Sequence, residues 1–290
     1  MTIEKSSPCK VNLLLNILGR RADGFHDLET IFHPVGLCDT LSVERVGGGL
    51  ALSCSDPRLP TDARNLVFRS AEAFREAAGV TDGVRIHLEK RIPLAAGLGG
   101  GSGNAAVTLL ALNALFDAPL SVLRLHELAA RLGSDVPFFL QDQPALATGR
   151  GECLQPVAAF AALRGKAFLL IHPGFGISTA WAYQQLARFP EALRGQPGRA
   201  EKLMHLLQNA DARTAGGAFY NALEAPALDK YPVLALYQEF LRERGAAAAL
   251  MSGSGSTTFA VVESVASGTA LVERFKGRFG TACWTAVVPV

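Results

Sequence analysis

The 290-residue chain is short of cysteine, of net charge and of long apolar runs, and each shortage excludes something. Its five cysteines (Cys9, Cys38, Cys54, Cys153 and Cys283) are odd in number, widely spaced and form no CxxC pair. Neither a zinc site nor a disulfide framework is suggested, and reduced thiols in a cytoplasmic protein are the expectation. Lys and Arg number 28 against 26 Asp and Glu, a formal charge of +2. Such a balance argues against a nucleic-acid partner, which needs a concentrated basic face. The most apolar stretch, 105–116, is interrupted by Thr108 and Asn113 and is too short to span a bilayer. Glu4, Lys5 and Lys10 punctuate the N-terminal residues, unlike a targeting segment, so no membrane association is expected.

Glycine, by contrast, is concentrated. Five of the seven residues 97–103 are glycine, inside Pro93-Leu94-Ala95-Ala96-Gly97-Leu98-Gly99-Gly100-Gly101-Ser102-Gly103-Asn104-Ala105-Ala106. A strand pattern precedes the loop and a helix pattern, 104–116, follows it. Backbone N–H groups of glycines can converge closely on a ligand, and a helix start adds unpaired donors and a positive dipole end. Together they make a candidate phosphate cradle. Read alone, such a loop is also simply a flexible turn.

Periodicity places strands at 11–18, 28–37, 40–45, 50–54 and 84–90, with a helix starting at 62–65 and running to 78. A helix at 121–132 ends in the break Gly133-Ser134-Asp135-Val136-Pro137, where Pro137 is expected to keep Val136 out of the helical region. Short strands are expected at 138–140 and 145–148. Beyond a composition shift near Pro156, strands at 167–172, 247–251, 259–262 and 283–288 alternate with helices at 178–188, 200–208, 232–244 and 265–276. The Pro- and Gly-rich segment 188–199 reads as a mobile surface connection. The whole is α+β with two lobes, 1–156 and 157–290.

Several phosphate chemistries drop out. No G-x-x-x-x-G-K-[ST] occurs. Gly101 to Ala106 formally fits G-x-G-x-x-A, but a second helix follows where a dinucleotide fold needs a strand and an acidic residue. Protein-kinase signatures are absent.

The remaining motifs carry a specific resemblance. Pro8-Cys9-Lys10-Val11-Asn12-Leu13, the glycine loop with Gly133-Ser134-Asp135-Val136-Pro137-Phe138-Phe139, and Met251-Ser252-Gly253-Ser254-Gly255-Ser256 resemble the three motifs of the GHMP small-molecule kinases. Arg21-Ala22-Asp23-Gly24-Phe25-His26 and Gly149-Arg150-Gly151-Glu152 extend the resemblance to the branch whose substrate carries a cytidine diphosphate group. It implies a ribosomal-protein-S5-like N-terminal lobe, a ferredoxin-like C-terminal lobe and an active site in the cleft between them. It implies ATP and Mg2+, and phosphorylation of the 2-hydroxyl of a cytidine-diphosphate-bearing methylerythritol in the non-mevalonate isoprenoid pathway. A monomer or weak homodimer is expected, and the metal ligands stay unknown.

Residue by residue, the resemblance implies that Asp135 is the general base and that Lys10 keeps it ionised or stabilises the transferring group. Asn12, Phe25, His26 and Tyr183 would bind the substrate, the aromatics on either side of the cytosine. Gly97, Gly99, Gly100, Gly101, Ser102, Gly103 and Asn104 would hold the ATP phosphates, with Asn65, Lys90 and Pro93 lining the adenosine pocket. The family usually has two hydroxyl residues after the glycines; here the second is Gly103. Tyrosine is common where this chain has Phe25. As residues alone they have plainer readings: Asp135 a cap, Lys10 a solvated strand lysine, Phe25, His26 and Tyr183 core or surface. Asn65, likewise, reads as a helix cap, and Lys90 and Pro93 as edge and loop residues. A homoserine or mevalonate-type kinase, or a GHMP-fold binding protein without catalysis, remains an alternative.

Overall fold

The computed structural model describes residues 2–290. Two long strands, β1 (Thr2–Arg20) and β2 (His26–Val46), open the chain. The break expected between 37 and 40 is absent. Asp39 lies inside β2 instead, fully buried, and accepts from the backbone N–H groups of Arg91 and Ile92. β3 (Leu50–Cys54), α1 (Leu66–Ala78) and β4 (Gly83–Glu89) form a parallel crossover. β4 also pairs antiparallel with β2, from Thr40 opposite Glu89 to Val46 opposite Gly83. Asn65 caps α1 by accepting from the Val67 N–H, and Gly79 at φ 64° closes it.

α2 (Gly100–Leu115) and α3 (Val122–Leu132) follow, the latter capped by Ser121. α2 begins four residues before the expected Asn104. Gly99, left-handed at φ 70°, turns the chain so that the last glycines of the loop enter the first helical turn. Residues 138–140 are not a strand. Pro137–Leu140 is a 3-10 turn, with Phe138 and Phe139 buried. Val136 is helical (φ −63°, ψ −42°) despite the proline after it. The burial of the two phenylalanines overrides the pre-proline preference, and Pro137 sits at a helix start, where its missing N–H costs nothing. Residues 2–9, 37–92 and 99–142 pack as one compact unit, whose helices bury Val67, Ala71, Phe74, Leu109, Leu112 and Leu128.

Residues 10–36, 93–98 and 143–290 make a second compact unit. In it β5 (Ala145–Thr148) pairs with β2 and with β6 (Cys153–Pro156). The remaining elements are β7 (Ala167–His172), α4 (Thr179–Gln185), α5 (Pro190–Leu193), α6 (Arg199–Asn209) and α7 (Ala212–Gly216). Then come β8 (Tyr220–Asn221), α8 (Glu224–Lys230), α9 (Val233–Glu243), β9 (Ala248–Met251), β10 (Thr258–Val262), α10 (Val265–Phe279) and β11 (Trp284–Pro289). β11, β7, β10 and β9 form an antiparallel sheet in that order. β8 pairs with β1 in parallel at Leu14 and Leu15. The connection 188–199 does not stand clear of the fold. Gly195 N–H donates to Ile17 O (2.7 Å) and Gln196 O accepts from Asn16 (2.8 Å), which pins the segment to β1.

Candidate active site

Lysine is rarely buried without a partner, yet Lys10 on β1 is 3% exposed. Its ammonium donates to Asn12 Oδ1 at 2.6 Å, and Asn12 Nδ2 donates to Thr30 Oγ1 at 2.9 Å. Residues 10 and 12 share a strand face, and Thr30 turns the Asn12 amide so that its oxygen meets the ammonium. The late glycine turn lies on this pair. A Cβ at Gly253 (φ 55°) would sit 3.3 Å from Lys10 Nζ and 3.4 Å from Asn12 Oδ1.

The first half of the 93–106 loop is bound to the same place. Lys10 N–H donates to Leu98 O (2.9 Å), Thr257 N–H to Ala96 O (3.2 Å) and Ser252 Oγ to Gly97 O (3.0 Å). A Cβ at Gly97 (φ 77°) would lie 2.1 Å from Ser252 O, so glycine is required there by both conformation and space. Pro93 is half-buried at the start of this stretch. Two residues that sequence reasoning missed hold the late turn. Asn221 Nδ2 donates to Met251 O (2.8 Å) and Gly253 O (2.7 Å), and Glu224 accepts from Met251 N–H (2.7 Å). Their signal, a polar pair at a helix start, is that of an ordinary cap.

The second half of the loop belongs to the other unit. Gly99 caps α2 without any side-chain bond, and Gly100, Gly101 and Ser102 form its opening turn. Their N–H groups look for partners outside the helix, the property that suits an anion. Asp39, also missed, anchors this helix start. Its Oδ1 accepts from the N–H groups of Arg91 (2.7 Å) and Ile92 (2.9 Å). Its Oδ2 accepts from Asn104 Nδ2 (3.0 Å) and pairs with the Lys90 ammonium. Lys90 also reaches Asn104 Oδ1 (3.3 Å), and Asn104 donates to Ser7 Oγ (2.9 Å). Asn65 spends its amide within the fold, accepting from Val67 N–H (3.0 Å) and donating to Pro60 O (2.8 Å). Asp135 is half-buried in the turn between α3 and the 3-10 segment.

The turn after β1 presents Phe25 with 54% exposure, an unusual position for a large apolar side chain. Its N–H donates to Asp23 Oδ1 (3.1 Å), and Arg21 pairs with Asp27 at 2.7 Å. His26 packs on Tyr183 of α4, ring centroids 5.0 Å apart. Burial, and secondarily the Arg20 guanidinium, hold the His26 imidazole below its ordinary pKa, so it is neutral near pH 7. A cavity of about 340 Å3, lined by Gly19, Arg20, Asp27, Glu29, Thr148 and Gly149, lies at the same end of β1. Thus Lys10, Asn12 and Gly97 are brought together, as are Phe25 and His26 with Tyr183 beside the latter, and Lys90, Asn104 and Gly100. Among the described residues no group of three His, Cys, Asp or Glu side chains is placed to hold a metal, and no helix is long and apolar enough to cross a membrane.

The fold and its glycine turns define a GHMP kinase. The model of the GHMP kinases N terminal domain matches residues 65–149, and that of GHMP kinases C terminal matches 189–280. A 4-diphosphocytidyl-2-C-methyl-D-erythritol kinase of Synechococcus sp. (strain JA-3-3Ab) is 42% identical over 88% of this chain and 84% of its own length. A crystal structure of 4-(cytidine 5'-diphospho)-2C-methyl-D-erythritol kinase superposes with a TM-score of 0.80 at 37% identity, covering 99% of this chain and 100% of that one. A homoserine kinase from Cytophaga hutchinsonii, at 21% identity and a TM-score of 0.77 over 100% of this chain and 95% of its own, shares the fold alone. The chain belongs to the 4-diphosphocytidyl-2-C-methyl-D-erythritol kinase family of GHMP kinases. As a kinase, it takes ATP as its phosphoryl donor.

Proposed function

We propose that this chain transfers the γ-phosphoryl group of ATP to the 2-hydroxyl of 4-diphosphocytidyl-2-C-methyl-D-erythritol, a step of non-mevalonate isoprenoid synthesis. The observation that carries the reading is the exposed Phe25, held by Asp23 and followed by a neutral His26 packed on Tyr183. A stacking face beside a neutral imidazole suits a nucleobase, offering one surface to the ring and one hydrogen-bonding edge to its polar atoms. Homoserine and mevalonate have no ring to use it.

In the proposed reaction the Asp135 carboxylate takes the proton of the acceptor hydroxyl. The hydroxyl oxygen bonds to the γ-phosphorus, the bond from that phosphorus to the β–γ bridging oxygen breaks, and ADP leaves. The Lys10 ammonium, held by Asn12, offers positive charge to the transferring group. Gly97, Gly99, Gly100, Gly101, Ser102, Gly103 and Asn104 form the phosphate loop, and Asn65, Lys90 and Pro93 belong to the nucleoside side. Mg2+, arriving on the nucleotide, would neutralise phosphate charge. Such a cation takes most of its ligands from phosphate and water, which suits a chain whose described residues hold no three-carboxylate cage. A cytoplasmic location, a monomeric or weakly dimeric state and no nucleic-acid or membrane partner complete the reading.

A substrate panel tests it. Purified protein with MgATP is expected to phosphorylate 4-diphosphocytidyl-2-C-methyl-D-erythritol and to leave homoserine and mevalonate unchanged. Preference for either of the latter would overturn the proposal.

A further inference from the structure

The turn Gly149-Arg150-Gly151-Glu152 has no role in the reaction described above. It closes the hairpin between β5 and β6. Gly149 (φ 70°) and Gly151 (φ 107°) adopt left-handed backbone conformations that cost glycine nothing. Leu28 N–H donates to Gly149 O at 2.8 Å, which ties the hairpin tip to the start of β2. Arg150 is therefore placed between two specialised residues on an anchored tip. Glu152 holds it at both ends, accepting from its backbone N–H (2.7 Å) and from its Nε (3.3 Å). Held so, the Arg150 guanidinium carbon lies 5.0 Å from the centroid of the Phe25 ring.

Phe25 needs such a support. Its backbone is fixed by Asp23, but its half-exposed ring lacks the close packing that locks a core aromatic. An exposed side chain changes rotamer on the picosecond-to-nanosecond scale. A ligand that stacks on it must then bear the cost of ordering it. A guanidinium is planar, always charged and weakly hydrated, so it can lie over an aromatic face and attract it without a large desolvation cost.

The geometry points to Arg150 as a positioning residue for substrate recognition: its guanidinium braces one face of Phe25 and leaves the other for the cytosine ring of the substrate. The inference rests on the substrate assigned above. It adds a specific division of labour, in which Arg150 acts through Phe25 and not on the substrate's diphosphate.

A double-mutant cycle separates the two. KM for 4-diphosphocytidyl-2-C-methyl-D-erythritol, KM for ATP and kcat are measured for wild type, Arg150→Met, Phe25→Ala and the double variant, with Arg150→Lys alongside. Arg150→Met keeps the apolar stem and removes the cation. It is expected to raise the KM of the cytidine substrate about two- to fivefold, the scale of one partly exposed cation–π contact, with kcat and the KM of ATP unchanged. Arg150→Lys recovers part of the loss. In the Phe25→Ala background Arg150→Met adds nothing further. Effects that multiply in the double variant, and that weaken as salt is raised, would show Arg150 contacting the diphosphate directly and would overturn the inference. So would an unchanged KM in either single variant. Failure of the wild type to use the cytidine substrate would instead overturn the assigned function, so the two failures are distinguishable.

Discussion

Pro8 and Gly103 meet backbone to backbone: a Cβ on Gly103 would lie 2.6 Å from Pro8 O and 3.2 Å from Ser7 Oγ. The contact leaves no room for a side chain at position 103, where the family resemblance leads one to expect a hydroxyl residue. Gly103→Ala gains helix propensity of about 1 kcal/mol but forces β1 and α2 apart at a backbone oxygen, where overpacking costs about 1–3 kcal/mol. The expected outcome is a lower urea midpoint for Gly103→Ala and for Gly103→Ser. A variant as stable as wild type would mean that the two elements separate freely.

Asp39 and Lys90 form a buried ion pair, their side chains 0% and 6% exposed. Removing one charge strands the other in the interior, at a cost of about 3–5 kcal/mol. Asp39→Asn is therefore expected to be strongly destabilised in urea unfolding at pH 7. Lys90→Met added to it is expected to recover part of the loss, because the stranded ammonium is gone while Asn104 Nδ2 still lacks the acceptor that Asp39 Oδ2 supplied. Equal stability of the two variants would refute the charge-pair explanation.

Much of this architecture was legible in local patterns. The alternation of β4, the Asn65 and Ser121 caps and the continuous apolar run of β7 are short-range signals, and each lies within one residue of its expected place. Asp39 was not legible. An aspartate in mid-strand reads as a turn, and the partners that keep it there are 51 and 65 residues away in sequence. Asn221 and Glu224 look like the cap of α8, and only the folded chain shows them holding Met251 and Gly253. The start of α2 at Gly100 is hidden from local pattern for a related reason. Glycine disfavours helix locally, whereas here Gly103 N–H closes the first helical bond to Gly99 O (2.9 Å) against the space left by Pro8.

His33 makes stability pH-dependent. Burial, only partly offset by a 2.7 Å hydrogen bond with Pro34 O, pulls its pKa down to about 4, and it packs edge-on to Phe168. An unfolded chain protonates this histidine near pH 6.5 while the folded chain does not. The folded-state pKa is depressed, so stability is full above about pH 6.5 and is lost as pH falls toward 4. At pH 5 the loss from His33 is about 2 kcal/mol relative to pH 7.5. His172, also lowered by burial, acts in the same direction. Urea unfolding at the two pH values should show a smaller difference in His33→Leu than in wild type. An identical pH dependence in the variant would locate the titration elsewhere.

Asp135 carries the proposed proton transfer, and its neutral isostere isolates that role. Asp135→Asn keeps the size of the side chain in the turn after α3, where Val136 N–H donates to Gly133 O (3.1 Å) and Phe139 N–H to Val136 O (3.1 Å). The backbone of the turn does not depend on the carboxylate for those bonds. An amide, however, cannot take a proton from the acceptor hydroxyl. Loss of a general base costs about 10²–10⁴-fold in rate, so kcat is expected to fall by at least about a hundredfold. Binding of ATP and of the cytidine substrate, measured by calorimetry, should stay close to wild type. Lys10→Met offers the complementary case. Its ammonium meets Asn12 and the Gly253 turn, so its loss should lower kcat and also loosen substrate binding through Asn12. If Asp135→Asn retained near-normal turnover, the proton would have to leave by another route and the base assignment would fall.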